Sequence, residues 1–322
     1  DRVLTAARQD DVLVALGPRS YVVRVTRGGD ALSDLLHALR ATRVFVLTDS
    51  NLAPLVGGDI RRQCGAALAG FFALPAGEGS KTVEGLASVW TAMAAAGLDR
   101  RSVLVAVGGG VITDLGGFAA STWMRGIRWV SVPTSLLGMV DAGIGGKTAI
   151  DLGGAKNVVG TFHQPAAVLE DVERAATEPP RAFASGLAEV VKTALVGDPA
   201  LLEVLESADP HLLRRPGDPL RAVVRAAAAV KADIVSRDER EGGLRAVLNL
   251  GHTFGHAVEA AGGLDELRHG EAVSVGLVAA LRVGLALGVT PADLPPRVEA
   301  LLRRLGLPTS VSGATVAAAL PF

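Results

Sequence analysis

Cysteine occurs once in the 322 residues, at Cys64. A single thiol excludes an intrachain disulfide framework and a cysteine-rich zinc site, and it fits a reducing compartment. Lysine is nearly as scarce: it stands only at positions 81, 147, 156, 192 and 231, and the other 27 of the 32 basic residues are arginine. Arginine serves wherever a generic cation suffices, so these lysines are candidates for sites that need a compact ammonium; chance combined with codon bias is the competing explanation. Asparagine is confined to Asn51, Asn157 and Asn249. Excess charge of one sign is missing too. The formal net charge of −1 leaves no electrostatic footprint for nucleic acid or an anionic membrane. No run of about 18 apolar residues goes uninterrupted, and even Leu277–Val289 carries Arg282, so it reads as a core helix. Asp1–Asp10 mixes charges and has no apolar h-region, so no signal peptide is expected and the cytoplasm is the default.

What is present is ample core material. Hydrophobic residues make up 49% of a chain long enough for two packed domains. In the first half, Tyr21–Val25, Val44–Thr48, Val103–Val107 and Trp129–Val132 read as buried strands, with Thr82–Ala96 and Val111–Thr122 as helices among them. That alternation predicts a doubly wound, Rossmann-like α/β domain. From about Pro180 the strand signals stop and Ala, Leu, Glu and Arg dominate, which predicts an all-α domain. The boundary is placed at 175/176, giving domains 1–175 and 176–322, with the polar segment Leu152–Asn157 crossing toward the cleft where a small molecule would bind.

Three loops at strand ends point to a nucleotide. Val103–Val107 runs into Gly108-Gly109-Gly110 and a helix, where backbone N–H groups and a helix dipole can meet a phosphate. Thr113 stands where a strict G-x-G-x-x-G motif has glycine, and a ligand-free tight turn explains the triplet equally well. Asp49 follows a strand and can accept from ribose hydroxyls, or it can cap a helix start. Gly77–Thr82 sets Lys81 between glycines and a helix start, only loosely like a phosphate loop.

The second half carries the reactive groups. Glu189 and Lys192 lie in Leu187–Val196, a helix otherwise apolar on nearly every face, so both charges need a partner, a metal or a ligand. A mutually satisfied ion pair is one answer. His252 and His256 share a helix face at i, i+4, with Thr253 where a metalloprotease motif has glutamate, and His269 follows 13 residues after His256. Two histidines and a carboxylate with an open position form a catalytic metal set, and spacing alone suggests His252 and His256 as the pair.

The motifs Gly108–Gly117, Met124–Gly126, Val132–Leu137, Val140–Thr148, Lys156-Asn157, Ser185–Lys192 and Leu248–Glu259 together resemble 3-dehydroquinate synthases, in that family's order and spacing from about Val12 to Pro308. The resemblance implies a dehydroquinate synthase-like fold. It implies NAD held by Asp49, Glu78, Lys81, Gly109, Gly110, Asp114, Thr134, Ser135, Lys156 and Thr177. It implies zinc, or cobalt in its place, held by Glu189, His252 and His269, which leaves His256 as a substrate or proton-relay residue. Asp141, Lys147, Asn157, Lys192, Lys231, Arg245 and Asn249 would surround the substrate, with Arg125 reaching its phosphate from the partner of a homodimer. The implied reaction takes 3-deoxy-D-arabino-heptulosonate 7-phosphate to 3-dehydroquinate and phosphate by transient NAD oxidation, elimination, re-reduction and aldol closure.

Ser135 replaces the family's usual second threonine but keeps the hydroxyl, and Asp151–Ala155 departs from the usual residues before Lys156-Asn157. The resemblance also implies another substrate-binding lysine in a segment after Phe322. The alternatives are another sugar phosphate cyclase, an NAD- and metal-dependent polyol dehydrogenase, and a catalytically silent homologue that binds NAD and metal without turnover.

Overall fold

The computed structural model describes residues 7–262, 267–312, 315 and 319, so the reading of Asp1–Asp10 falls partly outside the described residues. The chain divides into two compact units. The first comprises Asp1–Glu178 and Pro216–Arg240, the second Pro179–Arg215 and Glu241–Phe322.

The first unit is built on seven strands: β1 (Val12–Val14), β2 (Tyr21–Thr26), β3 (Val44–Asp49), β4 (Leu68–Leu74), β5 (Val103–Gly108), β6 (Arg128–Pro133) and β9 (Ala167–Asp171). Their order is β1-β2-β9-β6-β5-β3-β4, parallel except where β1 meets β2. Both faces are covered, which is why the central strands read as continuous apolar runs. Val44, Val46, Val103, Val105, Val130 and Val132 pack with α1 (Ala31–Ala38) and α2 (Ala53–Cys64). On the other face Phe45, Leu47, Leu104 and Trp129 meet Leu86, Val89 and Met93 of α3 (Val83–Ala95) and Leu115 and Ala119 of α4 (Gly110–Thr122). Thr82 starts α3 by accepting from the Gly85 N–H at 3.2 Å, a local reason for the helix to begin there.

The segment Leu152–Asn157 closes a hairpin within this unit: β7 (Lys147–Leu152) runs antiparallel to β8 (Ala155–Phe162). Gly153 and Gly154 have φ of +62° and +81°, the left-handed pair that a two-residue hairpin turn requires. The unit is also discontinuous in sequence. In place of a single cut at 175/176, the helix Asp218–Arg237 returns to it, packing on β1, β2 and the turn Gly138–Ala142.

The second unit is helical: α5 (Pro180–Gly197), α6 (Pro199–Ser207), α7 (Pro210–Leu213), then, after α8 (Asp218–Arg237) of the first unit, α9 (His252–Gly262), α10 (His269–Ala286) and α11 (Leu294–Arg304). By length and composition α10 alone among the described helices could cross a membrane, but it packs against α5, α9 and α11. The approach is close. A Cβ on Gly270 would fall 1.9 Å from the Ser185 carbonyl oxygen, and one on Gly276 would fall 1.9 Å from that of Gly251. Only glycine lets α10 lie this near its neighbours.

Candidate active site

In the first unit the rare lysines organise two polar groups. Lys81, 4% exposed, donates to Asp114 Oδ2 at 2.6 Å and to Asn157 Oδ1, and stands 4.0 Å from Glu78. Burial pushes the Asp114 carboxyl up to about 6, and the Lys81 ammonium only partly offsets it. Asn157 takes φ +59° and its N–H donates to Asp151 Oδ1 at 2.8 Å, so the hairpin corner delivers its side chain to Lys81. Lys231 of α8 donates to both the carboxylate and the backbone carbonyl of Asp141, in the π-helical turn Gly138–Ala142.

The nucleotide loop sits at the β5–α4 junction. No side chain caps the N-terminus of this 13-residue helix. A Cβ on Gly109 or Gly110 would meet only ordinary contacts at 3.5 Å, and neither residue has positive φ, so neither packing nor backbone conformation demands glycine there. Glycines that the fold does not need, at an uncapped helix start, fit close approach by a phosphate. Thr134 N–H donates to the Gly108 carbonyl at 3.0 Å, and Ser135 Oγ accepts from Gly138 N–H at 3.1 Å. Asp49 Oδ1 accepts from the N–H groups of Asn51 and Leu52, the turn-capping geometry that was one of its two readings. Thr177 is occupied with the Arg174 carbonyl at 2.7 Å. Lys147, Lys156 and Arg125 are exposed, the first two on the hairpin and Arg125 in a turn at φ +69°.

In the second unit Glu189 of α5 is fully buried. Lys192 pairs with its Oε2, while His252 Nε2 and His269 Nε2 stand 3.6 and 3.4 Å from its Oε1. Metal ligands at about 2.1 Å in a tetrahedron would be about 3.4 Å apart, which these separations match, and they are longer than good hydrogen bonds. Glu189, His252 and His269 each offer an atom within 4.8 Å of the others, which is the fit a metal needs. Spacing alone pairs His252 with His256; their rings do lie 5.3 Å apart, but His256 falls in a second group, with Glu259 and His269.

Several further contacts hold this geometry. Gly270 N–H donates to Ser185 Oγ at 2.9 Å, tying the start of α10 to the helix that carries Glu189. Glu271 accepts from the Arg268 N–H at 2.9 Å and from Arg181 at 2.6 and 2.7 Å. Glu241 accepts from Asn249 Nδ2 at 3.1 Å, and Arg245 is 2% exposed. Glu259 Oε2 lies 3.4 Å from His269 Nδ1. Burial would pull the His269 pKa down, yet the carboxylates of Glu189 and Glu259 outweigh it and raise it to about 10. Ser185 and Glu259 fall inside two of the family motifs, but helical periodicity gives neither its contact, and Glu241 and Glu271 lie outside those motifs.

A doubly wound unit with a glycine phosphate loop, and a helical unit where two histidines converge on a glutamate, define the class of two-unit nucleotide- and metal-handling enzymes. The 3-dehydroquinate synthase N-terminal profile matches residues 71–185 and the C-terminal profile residues 186–322. The chain is 43% identical over 312 residues to 3-dehydroquinate synthase of Acidithiobacillus ferrooxidans, covering 96% of this chain and 86% of the relative. It is 45% identical over 309 residues to the Synechococcus protein of that name, covering 92% and 83%. The chain belongs to the 3-dehydroquinate synthase family. Among solved structures, 2-epi-5-epi-valiolone synthase from Streptomyces hygroscopicus subsp. jinggangensis, with NAD+ and Zn2+ bound, superposes at TM-score 0.84 and 33% identity over 95% of this chain and 87% of that one. A 2-deoxy-scyllo-inosose synthase at 23% identity shares the fold, with TM-score 0.82 over 96% and 86%.

Proposed function

We propose that the chain is a 3-dehydroquinate synthase: it closes 3-deoxy-D-arabino-heptulosonate 7-phosphate into 3-dehydroquinate with release of phosphate, in the shikimate route to aromatic amino acids. The observation that carries the reading is Glu189, His252 and His269 converging at metal-ligand spacing in a chain of this family. NAD bound at the Gly109–Gly110 loop supplies a reversible hydride acceptor, and zinc or cobalt at the three-residue set supplies Lewis acidity toward a substrate hydroxyl. The NAD+ and Zn2+ bound in the valiolone synthase, 33% identical, support both assignments.

The chain's own groups do the rest. This reading assigns Lys81, Asp114, Glu78, Asp49, Thr134, Ser135, Lys156 and Thr177 to the dinucleotide, and the pairing of Lys81 with Asp114 supports it. Lys147, Asn157, Lys192, Lys231, Arg245 and Asn249 offer ammonium, guanidinium and amide donors to a substrate carrying phosphate and carboxylate. Asp141 orients the Lys231 ammonium, and this reading gives His256, exposed one turn after His252, the role of moving a proton. Arg125, exposed in this chain, reaches the phosphate from a second copy in a homodimer. The cytoplasm is the expected compartment. At 33% identity the valiolone synthase keeps a different sugar phosphate cyclase in view, but the 43% and 45% identical relatives favour the carboxylate-bearing substrate.

The test is to supply the heptulosonate phosphate, NAD and zinc and follow phosphate together with NADH absorbance. Phosphate release without net NADH, abolished by a chelator, is the expected result. Net NADH would identify a polyol dehydrogenase. Bound NAD and metal without phosphate release would identify a silent homologue.

A further inference from the structure

His269 has a carboxylate on each ring nitrogen: Nε2 faces Glu189 Oε1 and Nδ1 faces Glu259 Oε2, both at 3.4 Å. A neutral imidazole carries one N–H and one lone pair, and only the lone pair can bind a metal. Metal binding requires the neutral ring, and in that form the two carboxylates compete for a single proton. A proton drawn to Nε2 by Glu189 would face the metal position and remove His269 from the ligand set. A proton held at Nδ1 by Glu259 leaves the Nε2 lone pair aimed where Glu189 and His252 converge.

We propose that Glu259 is a positioning residue that fixes His269 in the Nδ1–H tautomer and so makes Nε2 a metal ligand. This rests on the metal reading given above. Glu259 lies on α9 seven residues after His252, hence two turns along the same helix face, so one helix supplies both a ligand and the group that orients a ligand on its neighbour. The 3.4 Å contact is long for a hydrogen bond, but at 14% side-chain exposure Glu259 is shielded enough from water to bias which ring nitrogen holds the proton. A carboxylate behind a ligating histidine fixes the tautomer and raises ligand basicity, and its loss typically weakens metal binding by about 10- to 100-fold. The competing role is direct ligation, since His256, Glu259 and His269 also lie close enough to hold an ion.

The experiment measures Zn2+ affinity and stoichiometry on the full chain by competition with a chromophoric chelator, comparing wild type with Glu259→Gln and His256→Ala. Long-range 15N–1H spectra of the zinc-loaded proteins report the His269 tautomer. One ion per chain in all three is expected, bound about 10- to 100-fold more weakly by Glu259→Gln alone, with the His269 Nδ1–H proton at a downfield, hydrogen-bonded position in wild type and moved upfield in the variant. Unchanged circular dichroism and melting temperature separate this from misfolding. Zinc bound equally by wild type and Glu259→Gln overturns the inference and leaves the metal reading standing. A second ion in wild type, lost in both variants, overturns it by making Glu259 a ligand. No ion on wild type sinks the metal reading and this inference with it.

Discussion

Glu170 and Glu189 are both fully buried, and they live in opposite surroundings. Glu189 has the Lys192 ammonium on one oxygen and two imidazoles within 3.6 Å of the other. Glu170, on β9, is enclosed in a parallel sheet, and neither oxygen has a hydrogen-bond partner among the described residues. Burial holds its carboxyl well above the usual range, and the attraction of Lys231 only partly opposes this. Burial by itself therefore says little about function. What marks Glu189 is the convergence of groups that would bind a cation, whereas Glu170 is a carboxylic acid that the sheet keeps neutral.

The same substitution in both places breaks this comparison most sharply. Glu189→Gln leaves the Lys192 ammonium, 2% exposed, without its anion, and breaking a buried pair in this way costs about 3–5 kcal/mol. Urea denaturation should show that loss, together with abolished zinc binding and turnover. A variant as stable as wild type would mean that the pair contributes nothing to the fold.

Glu170→Gln should move stability the other way. In the unfolded chain this carboxyl ionises near its ordinary value; in the folded chain it stays protonated. Folding therefore takes up a proton, and stability falls as pH rises from about 4.5 through the folded pKa. Glutamine, which does not titrate, removes that cost. Denaturation at pH 5, 6, 7 and 8 should show a falling slope for wild type, a flatter one for Glu170→Gln, and turnover within about threefold of wild type. Equal slopes would mean that Glu170 is ionised in the fold, and its difference from Glu189 would disappear.

How much of this was legible in the sequence follows the same division. Val44–Asp49 and Val103–Gly108 are covered on both faces, so burial wrote itself into β-branched runs, and the doubly wound unit could be read directly. The β7–β8 hairpin could not. All eight residues of β8 are exposed, so no apolar pattern marks it, and the pairing is set by the turn at Gly153-Gly154. Helix α8 reads like any other amphipathic helix, and nothing in its sequence says which unit its apolar face will meet. In the site, scarcity marks all five lysines, of which Lys81, Lys192 and Lys231 are buried against carboxylates while Lys147 and Lys156 are exposed. His269 and Glu189 come together from helices 80 residues apart, and helical periodicity carries no trace of that meeting. Glu259, Ser185 and Glu241 act through tertiary contacts alone.

Asp114 offers the finest test, because it lies between the two glutamates in character. It has a lysine partner, as Glu189 does, yet burial dominates and raises it to about 6, as burial does for Glu170. With an ordinary value near 3.8, the folded chain binds more protons than the unfolded one between about pH 4 and pH 6, so stability falls across that window and is level above it. Its side chain is 18% exposed, so solvent screening holds the total to about 2 kcal/mol. Asp114→Asn should flatten that part of the profile while leaving the steeper fall attributed to Glu170. Stability that rises through the same window would show the Lys81 pair outweighing burial. Asp114 would then belong with Glu189 as a paired anion, and charge pairing would have to be credited to the nucleotide half as well as to the metal half.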